Sequence, residues 1–191
     1  MGNPGSRYNS TRHNVGFEVL RALALEFGVE PEFEKWKERG GSRFLKFAVG
    51  GRDLLLVAPQ MYMNRSGRAL SALLGFYRIA LADLLVIHDD LDLPPGRLKL
   101  KSGSSAGGHR GVADLISLLA SRDFLRLRVG VGHPRDYSDA GGFDVSSWVL
   151  APPLAPEREL LRTAVERAVG TVGLLLSDGL AAAAQFCNRV S

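Results

Sequence analysis

Apolar residues Val15, Val19, Leu20, Leu23 and Phe27 recur at three- and four-residue spacing, which places them on one stripe of an α-helix. Ser10 or Thr11 stands before that stripe as a candidate cap, and Gly28 follows it as a stop. Residues 43–49 (RFLKFAV) and 53–58 (DLLLVA) flank Gly50-Gly51, the pattern of a β-hairpin. Residues 66–77, preceded by Asn64, predict a short helix. The run DLLVIHDD, residues 83–90, is continuously apolar until it ends in carboxylates, as a buried strand does when it delivers charge at its C-terminal edge. RLKLK at 97–101 alternates strictly, and RLRVGVG at 126–132 predicts another strand. Between them SGSSAGGHRG, 102–111, is a glycine-rich loop opening a helix at about 111–120. Pro156 starts a long helix reaching about Leu176, and Asp178 is placed to cap a short last one. Strands and helices intermix, so the class is α/β with a mixed sheet.

Length and composition narrow this further. The 191 residues fit one domain, and Pro152-Pro153 marks a connection within it. With 46% hydrophobic and 23% charged residues the mix is that of an ordinary globular chain, which excludes wholesale disorder. No apolar run approaches the ~18 residues of a membrane span, and MGNPGSRYNSTRHN has no apolar core of a signal peptide. The expectation is a soluble, cytosolic protein. Cys187 is the one cysteine, which excludes an internal disulfide and a cysteine-based zinc site. Twenty-four Lys and Arg against 20 Asp and Glu give a net charge of +4, which permits a polyanionic partner without requiring one.

Candidate chemistry starts at His13, in the first turn of the first helix. The partial positive charge of a helix N-terminus favours the neutral imidazole, which can act as a general base. The plainer reading is a histidine that hydrogen-bonds near a helix start. HDDLDLPPG, 88–96, puts Asp89, Asp90 and Asp92 just past a strand, where open α/β sheets bind ligands. A carboxylate there can fix a histidine tautomer and stabilise its protonated form. Two other readings stand beside it. His88, Asp89, Asp90 and Asp92 are possible metal ligands, although alternate strand residues point to opposite faces, and an acidic turn is also a common way to end a strand. No G-x-S-x-G elbow is present and Cys187 lies apart from any partner, so a histidine-activated water is simpler than covalent catalysis. The glycine-rich loop lacks the G-x-x-x-x-G-K-[ST] pattern of a phosphate cradle. Arg97, Lys99 and Lys101 share one strand face, and Arg126 and Arg128 share another. Adjacent strands would join them into a patch suited to phosphates; otherwise they are solvated outer faces.

GNPGSRYNSTRHNVGF, APQMYMNRSG, VIHDDLDLPPGRLKLK, GGHRG and FLRLRVGVGHP follow one another in this order, and GFDVSSWVLAPP precedes a long helix. Together they resemble the bacterial peptidyl-tRNA hydrolase family along nearly the whole chain. That resemblance implies a monomeric, single-domain α/β/α sandwich with a mixed, twisted central sheet. It implies an esterase without metal or cofactor, which frees tRNA from a peptide in translation and ribosome rescue. By the resemblance His13 matches the general base and Asp89 its supporting carboxylate. Asn3 matches the asparagine that helps distinguish an N-acylated substrate from free aminoacyl-tRNA. Tyr8, Tyr62, Met63 and Asn64 match positions around the cleft, and Lys99, Lys101 and Arg128 match cations that grip tRNA phosphates. Arg110 stands where many members have asparagine; it can contact the acceptor end but cannot accept a hydrogen bond. The family usually has an apolar strand, of the form LIVGLGNPG, before the first motif, whereas here Met1 directly precedes Gly2. The single domain, 1–191, is therefore expected to lack that strand. A catalytically impaired RNA-binding member of the same fold is the alternative, and a metal-dependent hydrolase at HDDLD is a third reading.

Overall fold

The structure is a computed structural model that describes residues 1–137 and 144–189. Its strands form two three-stranded sheets. The first contains β1 (Lys37–Arg39), β2 (Ser42–Val49) and β3 (Arg52–Pro59), antiparallel in that order. The expected hairpin is β2–β3, closed with Val49 opposite Arg52. Gly50 and Gly51 sit at φ 55 and 77, the conformation that a tight two-residue turn demands at both central positions. All three β1 residues are exposed, so no apolar alternation in the sequence marks that strand.

The second sheet carries β4 (Leu85–Asp90), β5 (Leu98–Ser102) and β6 (Leu125–Gly130), with β6 in the centre, parallel to β4 and antiparallel to β5. Helices cover both of its faces, which is why β4 reads as an unbroken apolar run. On one face Ile87, Leu98, Leu100, Leu127 and Val129 join Val15, Val19 and Leu23 of α1 (Val15–Glu26). The same cluster takes in Leu161, Ala164 and Ala168 of α5 (Ala155–Ser177) and Ala183 of α6 (Leu180–Asn188). On the other face Val86 joins Leu70 and Leu74 of α2 (Ser66–Tyr77) and Val112 and Leu115 of α3 (Arg110–Leu119). A third cluster packs Phe17 and Leu20 of α1 against Leu56 and Ala58 of β3, with Phe33 and Trp36. The short α4 (Val145–Val149) precedes α5.

The α/β class with a mixed sheet holds, with the strands divided between two sheets. Some local expectations are corrected. Neither Ser10 nor Thr11 caps α1; a 3-10 turn, Arg12–Asn14, leads into it, and Thr11 Oγ1 donates to the Tyr8 carbonyl at 2.8 Å. His13 therefore lies in that turn rather than in α1. Asp178 ends α5 instead of capping α6, whose N-cap is Gly179. The run beginning at 83 becomes strand only at Leu85, because Leu81–Asp83 form a 3-10 turn. No helix among the described residues is long and apolar enough to cross a membrane.

Candidate active site

The C-terminal end of β4 meets two chain segments, the 3-10 turn before α1 and the N-terminus of α3. The first brings His13 and the second brings His109. His13 Nδ1 lies 2.8 Å from Oδ1 and 2.9 Å from Oδ2 of Asp89, and His109 Nε2 lies 2.9 Å from the same Oδ1. All three residues are buried. Burial alone would raise the Asp89 carboxyl, but the charge and hydrogen bonds of the two imidazoles outweigh it and hold Asp89 well below the usual carboxylate range. An ionised carboxylate only accepts, so His13 donates through Nδ1–H and keeps its lone pair on Nε2. A histidine so disposed can take a proton from water.

These residues open onto a cleft of about 390 Å³. All eight residues read from the sequence as catalytic or substrate-binding line it: Asn3, Tyr8, His13, Tyr62, Met63, Asn64, Asp89 and Arg110. Asn3 is fixed by three bonds. Its backbone N–H donates to Asn14 Oδ1 at 2.8 Å, its carbonyl accepts from Asn14 Nδ2 at 3.0 Å, and its Oδ1 accepts from the Met63 N–H at 2.8 Å. The Asn3 amide is thereby turned so that its NH2 is left to donate. Met63 is 4% exposed and forms floor, whereas Tyr62 stands out at 56%. Gly111 lets α3 approach that floor: a Cβ there would come within 2.6 Å of Met63 Sδ.

Sequence reasoning missed His109, although it stands in the quoted GGHRG string. Its signal was a histidine at a helix start, the same signal that singled out His13. It also missed the α4 wall, Val145, Ser146, Val149 and Leu150. That wall is tied to the residue beside His13. Arg12, 1% exposed, donates to the Trp148 and Pro152 carbonyls at 3.3 and 2.8 Å, pairs with Glu157 at 2.7 Å and lies 3.7 Å over the Trp148 ring. Gly142 and Phe143 of the quoted GFDVSSWVLAPP string lie outside the described residues.

The HDDLD residues do not converge on one point. Asp89 serves the two imidazoles, Asp90 pairs with Arg128, Asp92 pairs with Arg135, and His88 Nδ1 contacts the Asp89 carbonyl at 2.7 Å. His13, Asp89 and His109 do present ligand-type atoms within 4.8 Å of one another. Each of these imidazole nitrogens already has an Asp89 oxygen at hydrogen-bond distance. The basic strands are neighbours, with Lys99 opposite Arg128 and Lys101 opposite Arg126. Only part of that expected patch is open. Arg126, read as an outer-face residue, is 1% exposed and donates to the Ser104 and Ser105 carbonyls, pinning the glycine-rich loop. Arg128 is engaged by Asp90, while Lys99 and Lys101 are exposed.

The sequence profile of the family described as peptidyl-tRNA hydrolase matches residues 1–191. The chain belongs to that family. Among solved structures it is similar to a complex of peptidyl-tRNA hydrolase with N-propanol, at 34% identity and a TM-score of 0.88, covering 100% of this chain and 93% of that one. The peptidyl-tRNA hydrolase from Acinetobacter baumannii matches at 34% identity and 0.88, covering 100% and 92%. For this peptidyl-tRNA hydrolase family member, the resemblance drawn from the motifs and the likeness drawn from the fold agree.

Proposed function

We propose that this chain hydrolyses the ester joining a peptide to the 3′-terminal ribose of tRNA, with His13 as general base. The observation that carries the reading is the His13–Asp89 pair, with Nε2 left free at a cleft, in a member of the peptidyl-tRNA hydrolase family. His13 Nε2 takes a proton from water while the water oxygen attacks the ester carbonyl. Asp89 stabilises the imidazolium that forms. The tetrahedral intermediate collapses, the ribose oxygen leaves, and it takes up the proton from His13. Free tRNA and an N-blocked peptide are the products. Asn64 polarises the ester carbonyl or holds the attacking water.

The orientation of Asn3 supports a role in selection. Its NH2 is the half available to the cleft, and it finds an acceptor in the carbonyl of an N-acylated residue. A free α-ammonium offers donors only, so aminoacyl-tRNA leaves that NH2 unpaired. Tyr8 and the exposed Tyr62 pack against the aminoacyl group or the terminal adenine, with Met63 beneath. Arg110 reaches the acceptor end, and Lys99, Lys101 and Arg128 hold phosphates along the tRNA body. We read the protein as a monomer acting in the cytoplasm, in translation and ribosome rescue. The pairing of His13 with Asp89 favours this reading over a non-catalytic RNA-binding role.

The test compares N-acetyl-aminoacyl-tRNA with the same aminoacyl-tRNA left unacetylated. The first should be hydrolysed far faster. No hydrolysis of the acetylated substrate by the folded chain would overturn the reading.

A further inference from the structure

We propose that His109 is a positioning residue: locked as its Nε2–H tautomer by the first turn of α3, it fixes the Asp89 carboxylate that orients His13. The inference rests on the hydrolase reading above and goes beyond it by giving the N-terminus of α3 a part in the reaction.

Two contacts require the same tautomer. His109 is the N-cap of α3, and its Nδ1 accepts the Val112 backbone N–H at 3.2 Å. A ring nitrogen that receives an N–H carries its lone pair, so the proton of the neutral ring sits on Nε2. Nε2 is the atom 2.9 Å from Asp89 Oδ1, where only a donor satisfies an ionised carboxylate. A proton on Nδ1 would break the cap. The ring is also confined. It lies 4.8 Å from the His88 ring at 67° and 5.0 Å from the His13 ring at 46°, and the residue is 8% exposed.

Asp89 is consequently held at three places. His88 grips its main-chain carbonyl, His109 its Oδ1, and His13 bridges both carboxylate oxygens. The terminal torsion of an aspartate is broad, so a single partner does not fix the plane of the carboxylate. A second donor does. With the plane fixed, His13 keeps its proton on Nδ1 and its lone pair on Nε2. His88 does not compete for the carboxylate, because its Nδ1 is already on the carbonyl and burial keeps its ring neutral.

The two functions of His109 are separable by substitution. His109→Asn supplies a good cap acceptor for Val112 N–H, but its amide is too short to reach Asp89. His109→Gln reaches Asp89 with an NH2 donor but leaves α3 uncapped. The proposal expects His109→Asn to keep the wild-type Tm and KM while kcat falls roughly 10- to 100-fold, the scale of lost positioning. His109→Gln should lower Tm and recover much of kcat. Nitrogen-15 NMR without substrate should show His109 as Nε2–H and His13 as Nδ1–H in the wild type, with mixed His13 tautomers in His109→Asn. Wild-type kcat in His109→Asn, an Nδ1–H tautomer for His109, or equal kcat losses in the two variants would overturn it. Hydrolysis by the wild type and its loss in His13→Ala, measured alongside, report on the hydrolase reading separately, since the tautomers are read without any reaction.

Discussion

Asp89 is charged where burial opposes charge, and two imidazoles make that possible. Changing it to asparagine keeps its size and removes the charge. The amide can accept from one ring but must donate to the other, which places a histidine in the wrong tautomer, and it cannot stabilise an imidazolium. Asp89→Asn should therefore lower kcat by roughly 10²–10⁴ while KM changes little, read from steady-state hydrolysis of N-acetyl-aminoacyl-tRNA. Wild-type turnover would contradict the role. His13 and Asp89 were legible because each stands at a recognisable local place, a helix start and a strand end, and the quoted motifs tied them together. His109 was not, because its part depends on α3 meeting β4, a contact that no local pattern announces. Arg126 was misread for a similar reason. Alternation along β6 gives its face but not the glycine-rich loop that covers it.

Elements set what these residues can reach. The α1, α2, β4 and hairpin patterns were legible because apolar spacing and paired glycines dictate them directly. β1 and the wall formed by α4 were not, since three exposed residues and a five-residue helix leave almost no periodicity. Arg12 shows how an element is held: a buried guanidinium beside His13 binds the Trp148 carbonyl in α4, the Pro152 carbonyl in the connection after it, and Glu157 in the first turn of α5. On β5 the exposed Lys99 and Lys101 face Arg128 and Arg126 across the ladder. Like charges opposite one another oppose pairing, and a phosphate backbone relieves that repulsion. Lys99→Ala with Lys101→Ala should weaken tRNA binding and flatten the slope of log affinity against log salt by about one unit per lost contact. Cleavage of a minimal N-acyl-aminoacyl ester should hardly change. An unchanged salt slope with full-length tRNA would make these lysines an ordinary solvated face.

For the molecule as a whole, the buried groups that resist protonation set how stability responds to pH. Burial pushes His88 well below the ordinary histidine range, with the neighbouring His109 adding to it. Below about pH 6.5 the unfolded chain binds a proton on this imidazole that the folded chain refuses. Its stability contribution is present above that value and is lost as pH falls, by at most about 1.4 kcal/mol per pH unit. Asp89 acts in a lower window: its depressed carboxyl stabilises above about pH 4, and that contribution fades as pH falls further. Urea unfolding should show stability declining from about pH 6.5 to 5, with a shallower decline in His88→Phe. Equal slopes for the two proteins would contradict a neutral, buried His88. That the His13 imidazole, held beside the end of β4, activates water is tested by single-turnover cleavage of N-acetyl-aminoacyl-tRNA by His13→Ala. The chemical step should slow by at least ~10² with tRNA affinity and Tm preserved. A folded His13→Ala protein that cleaves at the wild-type rate would contradict it.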